Sequence, residues 1–396
     1  MTTLKKKLSK TNPNHICLII CAVVLILGLF LRFLLKDIVS DDYTKFLGLW
    51  YEEIRANGLV SAVGNYNFLY QFLIFLLTKI PIKPLYAYKL LSVIFDILLA
   101  GVSFFLVKTL SGEKAPFKST LAFSLVFLSP LTTVNSAAWA QCDSIYSFFA
   151  LCGLLLILRD KPIHSMFFFG LGFAFKLQTV FFLPAILFFI FIKNKKLFLS
   201  LPIIPATMFA VCLPMLFWRR PISELWTVYF EQVSKNFKLS YNYPTVWNII
   251  ANGELYSHYL KLRDPAIVLC IAVLGAIMLL LLIKKVSLSK ENVLYIFFIL
   301  TYTCVLLLPA MHERYGFLYE LLSIFIAFKL KKTIPFCISL HILTALTYCN
   351  FLLKIVLVDM RILSVINLIL WLIYFVILIK ELIFKPQNTL ESEQND

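Results

Sequence analysis

The chain has 396 residues, of which 61% are apolar and 15% charged, with a formal net charge of +16 and a mean hydropathy of +0.87. A soluble domain is about 45–50% apolar and about 25% charged, so this much apolar surface cannot be hidden inside a water-soluble fold. The Lys and Arg residues sit in short clusters between apolar runs, where they read as topology signals and anionic-lipid contacts rather than as a nucleic-acid surface.

Period-2 alternation is absent, and a lipid environment obliges each crossing segment to satisfy its own backbone, so the spans are helices. The basic "LKKKLSK" places the N-terminus inside by the positive-inside rule, and the run from 15 to 36 reads as a retained first span without a cleavage site. Further spans fall near 85–107, 118–135, 142–158, 163–176, 179–192, 197–218, 264–283, 292–309, 316–329, 334–352 and 362–381. This gives about twelve, each held against the roughly 20 apolar residues a crossing needs. The set puts the basic clusters at 108–118, 159–161, 193–196, 284–290, 329–332 and 380–385 on the inside. Counting "NFLYQFLIFLLTKI" (67–80) as a span would reverse every later cluster, so it is expected as an interfacial or re-entrant helix. The run from 164 to 196 is too long for one span and is expected as two short helices meeting at the polar "KLQ" (176–178).

The expected molecule is an all-α polytopic membrane protein with juxtamembrane helices on its outer face. One transmembrane domain covers 1–385, with a first outer loop over 38–83 and a long outer loop over 219–263, and a cytoplasmic tail follows at 386–396. None of the nine Cys residues forms a CxxC or Cys/His metal spacing, so they read as small hydrophobes.

Polar side chains gather on the outer side. In "SDDYTKFLGLWYEEI" (40–54), Asp41 and Asp42 open an amphipathic helix whose apolar stripe is Tyr43, Phe46, Leu47, Trp50, Tyr51 and Ile54. One reading is a solvated helix start favoured by the dipole. The other is a base held at the headgroup level, ready to take a proton from an acceptor hydroxyl. In "NSAAWAQCDSIY" (135–146), Trp139 suits the interfacial belt, while Gln141, Asp143, Ser144 and Tyr146 crowd one helix start in a way that suits a sugar or a cation. In "PAMHERYGF" (309–317), His312, Glu313 and Arg314 are consecutive, and Arg is the better fork for phosphate; a solvated turn with an internal Glu–Arg pair is the plainer reading. Lys176 with Gln178 interrupts an apolar run, which points to snorkelling or to a phosphate contact. Asp96 lies mid-span, on one face with Lys89 and Ser92; a buried Asp there points to a functional site, and a packing pair with another helix is the plainer reading. The aromatic stretch "SYNYPTVWNIIANG" reads equally as a carbohydrate surface or an interfacial anchor.

In this order, "SDDYTKFLGLWYEEI", "AWAQCDSIYSFF" with "GFAFKLQ", and "MHERYGF" resemble the GT-C superfamily of polytopic glycosyltransferases, in particular the bacterial branch related to GPI mannosyltransferases. The likeness covers roughly residues 37 to 320 and departs at Ala140, where Gly is usual. It implies a polyprenyl-phosphate-linked monosaccharide donor, a glycan or lipid-linked acceptor, membrane lipids as partners, inversion at the anomeric carbon, and a multi-pass cell-membrane protein with its site on the outer face. It makes Asp42, with Asp41 second, the base or metal ligand, and gives Gln141, Asp143, Tyr146 and Trp139 to the sugar or acceptor. Lys176, Gln178, Arg314 and His312 go to the donor phosphate, and a divalent cation, Mg or Mn, to Asp42 and Asp143. The competing reading is a transporter or flippase of lipid-linked sugars, which would place its polar groups at the midplane.

Overall fold

The structure is a computed structural model that describes residues 12–112, 115–235, 237–251 and 256–384. The N-terminal basic cluster and the expected tail lie outside the described residues. The chain divides into two compact units, one formed by 1–179 and 202–232, the other by 180–201 and 233–396. Helices dominate both, and two two-residue strands form the one named sheet among the described residues.

In the first unit the chain runs α1 (Pro13–Leu34), α2 (Gly48–Asn57), α3 (Phe68–Leu77), α4 (Pro84–Ser111), α5 (Pro116–Leu128), α6 (Asp143–Leu158) and α7 (Pro162–Phe175). Pro13, Pro84, Pro116 and Pro162 each open a helix, where a fixed φ suits the first turn and the missing N–H would be unpaired anyway. Asn67 caps α3 by accepting the Phe68 N–H at 2.7 Å. The centre of this unit is the packing of α4 against α5 and α6, with α1 on α5 and α7 on α6. A second apolar cluster gathers Tyr51, Ile54, Leu59, Phe68 and Tyr88 beneath the surface helices α2 and α3.

In the second unit α8 (Leu183–Lys193) is followed, after a return through the first unit that includes α9 (Ile203–Cys212) and α10 (Glu224–Ser234), by α11 (Tyr256–Ile283), α12 (Lys290–Leu307), α13 (Phe317–Lys329), α14 (Ile334–Tyr348) and α15 (Met360–Phe384). Helix α12 is the core of this unit: its apolar window is 83% buried, and α8, α11, α13 and α15 pack around it. A helix apolar on every face is stable only when it is covered on every face.

Among the described residues eight helical runs are long and apolar enough to cross a membrane, three of them (Pro116–Ala138 through α5, Lys195–Trp218 through α9 and Lys331–Leu353 through α14) continued by π or 3₁₀ turns, and they match eight of the expected spans in order. The other four expected spans are shorter: 143–158, 162–175, 177–193 and the 13-residue α13. The expected surface segment is α3, whose 10 residues cover about 15 Å against a hydrocarbon core of about 30 Å. The break expected at "KLQ" falls at Lys176, where the backbone is extended at the end of α7 and a 3₁₀ segment, Leu177–Phe182, follows.

The stripe expected on 43–54 is altered. Tyr43–Leu47 is a π-helical turn, which inserts one residue relative to α spacing, so Leu47, Tyr51 and Ile54 are buried while Phe46 is exposed. Asp96 is paired with another helix, as expected of a carboxylate within a span. Asp96 takes Arg32 of α1, with Nε at 2.9 Å and Nη2 at 2.8 Å, together with the hydroxyls of Ser136 and Ser144. Of the aromatics of "SYNYPTVWNII", Tyr241 is half-buried and stacks on His312. Tyr243 and Trp247 are buried, and the Trp247 indole N–H donates to the Leu307 carbonyl at 2.7 Å.

Candidate functional site

The chain leaves α1 with carbonyls that no helical N–H can satisfy. Lys89 of α4 meets them: its ammonium donates to the carbonyls of Leu35 (3.1 Å), Lys36 (2.8 Å) and Ile38 (2.7 Å). The segment leading to the acidic pair is thereby pinned to α4. Ser40 then works twice, accepting the Tyr43 N–H at 3.2 Å and donating to the Trp139 carbonyl at 3.1 Å. That second bond ties the first motif to the second, 99 residues further along.

Asp42 follows. Its Oδ2 accepts from the Trp139 indole N–H at 2.9 Å and from the Gln141 amide at 2.8 Å. These donors come from a segment shaped by a second π-helical turn, Val134–Ala138, and by Ala140 at φ +61°. Ala140 thus holds a left-handed conformation that Gly reaches without steric cost. Trp139, expected as an interfacial anchor, is instead fully buried with its N–H aimed at a carboxylate.

The network continues. The Tyr66 hydroxyl donates to the Gln141 Oε1 at 3.3 Å. Asp143, at the start of α6, accepts from the Asn135 amide at 2.8 Å through Oδ2 and pairs with Lys176 through Oδ1. The Lys176 ammonium lies 5.7 Å from the centre of the Tyr146 ring and 5.9 Å from that of Tyr66. It does not snorkel. It is buried, and a buried ammonium is tolerable only when paired. Asp42, Trp139, Gln141, Asp143, Tyr146 and Lys176 are thus brought into one arrangement. Asp41 stands apart, with a side chain 47% exposed and 3.6 Å from Lys45. Gln178 is buried nearby in sequence, and its Oε1 has no hydrogen-bond partner.

The remaining candidates belong to the second unit. β1 (Ser240–Tyr241) pairs in parallel with β2 (Met311–His312), and the Tyr241 and His312 rings stack at 4.5 Å, 8° from parallel. Arg314 donates to Glu313 at 2.6 Å, and His312 Nδ1 lies 3.7 Å from the same carboxylate. The internal Glu–Arg pair is therefore present. Burial pushes the Glu313 carboxyl up, but His312 and Arg314 outweigh it and hold its pKa below the ordinary 4.5. Gly316 closes the motif: a Cβ there would run into the Glu320 carboxyl and the Tyr243 hydroxyl.

Sequence reasoning missed Tyr66, Asn135 and Arg32. Arg32 carried a signal, a lone charge inside an apolar run. Asn135 and Tyr66 carried none, since their roles depend on contacts across 8 and 75 residues of chain.

A divalent cation does not fit Asp42 and Asp143 as they stand. Asp143 faces an ammonium and an amide N–H, Asp42 an indole and an amide N–H, and all of these are donors that compete with a metal for the oxygens. Among the described residues no three His, Cys, Asp or Glu side chains are grouped to hold a metal ion. What the arrangement offers is an oriented carboxylate beside buried amide, indole, phenol and ammonium groups, which suits a hydroxyl-rich substrate and a proton transfer.

No curated protein matches the chain. The model of glycosyltransferase family 87 matches residues 65–309, a stretch holding Gln141, Asp143 and Lys176 and ending just before the His312 motif. The match extends over more than half of the sequence, and the chain belongs to glycosyltransferase family 87.

Proposed function

We propose that this membrane glycosyltransferase moves a monosaccharide from a polyprenyl-phosphate-linked donor to a cell-surface glycan or lipid-linked acceptor on the outer face, with inversion and a mannosyltransferase-like chemistry of the GT-C type. Asp42 is the base. The observation that carries this reading is the pair of N–H donors, from Trp139 and Gln141, that fix one oxygen of the Asp42 carboxylate.

The chemistry follows from what such a carboxylate can do. Asp42 takes the proton of an acceptor hydroxyl. The hydroxyl oxygen then bonds to the anomeric carbon on the face opposite the phosphate. The bond from that carbon to the phosphate oxygen breaks with its electron pair, and polyprenyl phosphate leaves as an anion. Attack and departure on opposite faces invert the centre. Positioning and charge neutralisation supply the acceleration, since phosphate is already a good leaving group. Gln141, Asp143, Tyr146 and Trp139 serve the sugar or acceptor. Lys176 and Gln178 in the first unit and His312 and Arg314 in the second are the donor-phosphate candidates, to be tested one by one. No step requires a metal.

The test uses purified protein in liposomes with a radiolabelled sugar on polyprenyl phosphate and, in parallel, on a nucleotide. Label passing to acceptor only from the lipid donor supports the reading. Transfer from the nucleotide sugar alone, or sugar flux across the bilayer without transfer, overturns it.

A further inference from the structure

The amide of Gln141 has two orientations related by a half-turn, and only one of them serves Asp42. With Nε2 toward Asp42 it donates to a carboxylate; with Oε1 there, two acceptors would face each other. The Asp42 carboxylate, an acceptor only, selects the first, with Nε2 2.8 Å from its Oδ2, and the Tyr66 hydroxyl then fixes the other end of the amide by donating to Oε1 at 3.3 Å. We infer that Tyr66 is a positioning residue that locks the Gln141 amide and, through it, the carboxylate that takes the acceptor proton.

Tyr66 is itself held from behind. Gln71 of α3 donates to the Tyr66 carbonyl at 2.6 Å and accepts the Val63 N–H at 3.1 Å. Arg220 donates to the same Gln71 oxygen at 3.1 Å and is fixed by Glu224 at 2.7 Å. The loop before α3 therefore cannot carry the phenol away without breaking several buried hydrogen bonds, one of them to the Arg220 guanidinium. The ring has a separate structural role. It packs against Tyr70, with centroids 4.4 Å apart and the planes tilted by 44°, and lies beneath Lys176 at 5.9 Å. Tyr66→Phe keeps the ring and removes the lock alone.

The inference rests on Asp42 being the base, so Asp42→Asn is measured beside it. Expected are a Tyr66→Phe enzyme with kcat lowered about tenfold, the equivalent of one hydrogen bond, a donor KM within twofold of wild type, and thermal unfolding lowered by no more than the loss of one buried hydrogen bond. In a Gln141→Met background, where no amide remains to orient, the same change costs nothing further, so the double-mutant cycle shows full coupling. Tyr70→Phe serves as the ring control and leaves turnover as it is. Wild-type kcat for Tyr66→Phe beside an inactive Asp42→Asn overturns the lock and leaves the base assignment standing. Full additivity of Tyr66→Phe and Gln141→Met also overturns it. Wild-type turnover by Asp42→Asn removes the base assignment itself.

Discussion

Asp41 directs its carboxylate toward Lys45 across one turn of the surface segment, in contact with water, where an ion pair is worth little. Asp42, one residue on, is held by an indole and an amide. Asp41→Asn therefore keeps its transfer rate within about twofold, while Asp42→Asn loses the roughly 10²–10⁴-fold that a general base contributes. Initial rates at matched protein in liposomes separate the two, and equal losses would contradict the assignment. The sequence could not make this choice, because adjacent residues share a motif and differ only in what lies 97 and 99 residues further along. Ala140 gives a second test. A non-glycine residue at φ +61° costs about 1–2 kcal/mol, and glycine returns about 0.4–1 kcal/mol of that to the unfolded chain. The Ala140 methyl is itself buried in the apolar cluster and is worth about 0.8 kcal/mol, so Ala140→Gly falls within about 1 kcal/mol of wild type in thermal unfolding, and a larger change in either direction would contradict this balance. At Gly316, by contrast, a Cβ meets the Glu320 carboxyl and the Tyr243 hydroxyl, so Gly316→Ala lowers the unfolding temperature.

Helices α1 and α4 are joined by a charge pair rather than by apolar packing alone. The Arg32 guanidinium binds Asp96, donates to the carbonyls of Gly28 and Phe127, and lies 4.1 Å from the Phe127 ring centre. Removing one partner leaves a buried charge uncompensated, at a cost of about 3–5 kcal/mol. Arg32→Met therefore unfolds well below wild type in a detergent melt, and an unchanged melt would rule out this account of the pair. A charge at Asp96 was legible as a packing pair because Asp is costly in a span. Its partner was not, since 64 residues separate the two and no spacing rule reaches that far. The π-helical turns at Tyr43–Leu47 and Val134–Ala138 were equally hidden, as nothing in residue type marks an inserted residue. The loop between α12 and α13 adds a pH dependence. Glu313 has a folded pKa below the ordinary 4.5, so its stabilising contribution is complete above that value and is lost as pH falls through the lowered one. Glu313→Gln flattens the acid side of a stability–pH curve; an identical slope in both proteins would contradict the pairing with His312 and Arg314.

At the scale of the whole molecule, composition alone gave a helical membrane protein, because no water-soluble core holds so much apolar surface. Eight long helices fall on expected spans, since length and hydropathy are local properties. The shorter helices around Lys176 and Asp143 also fall near their expected bounds, at Asp143–Leu158, Pro162–Phe175 and Leu177–Lys193, but the partners of their buried polar groups lie elsewhere in the chain and were not legible. The proposed topology is testable within the first unit. In a cysteine-free protein, a cysteine at position 41 reacts with an impermeant maleimide from outside and one at position 160 does not; the reverse pattern would turn the site to the cytoplasm. The donor set at Asp42 and Asp143 further predicts that transfer survives chelation of divalent cations, and abolition by chelator with recovery on adding Mg or Mn would contradict that. The most direct measurement is the turnover of polyprenyl-phosphate sugar by Asp42→Asn beside wild type, both inserted in liposomes to the same level. The account predicts a loss of at least about a hundredfold with the donor still bound, whereas wild-type turnover would show that the carboxylate gripped by Trp139 and Gln141 does not take the proton.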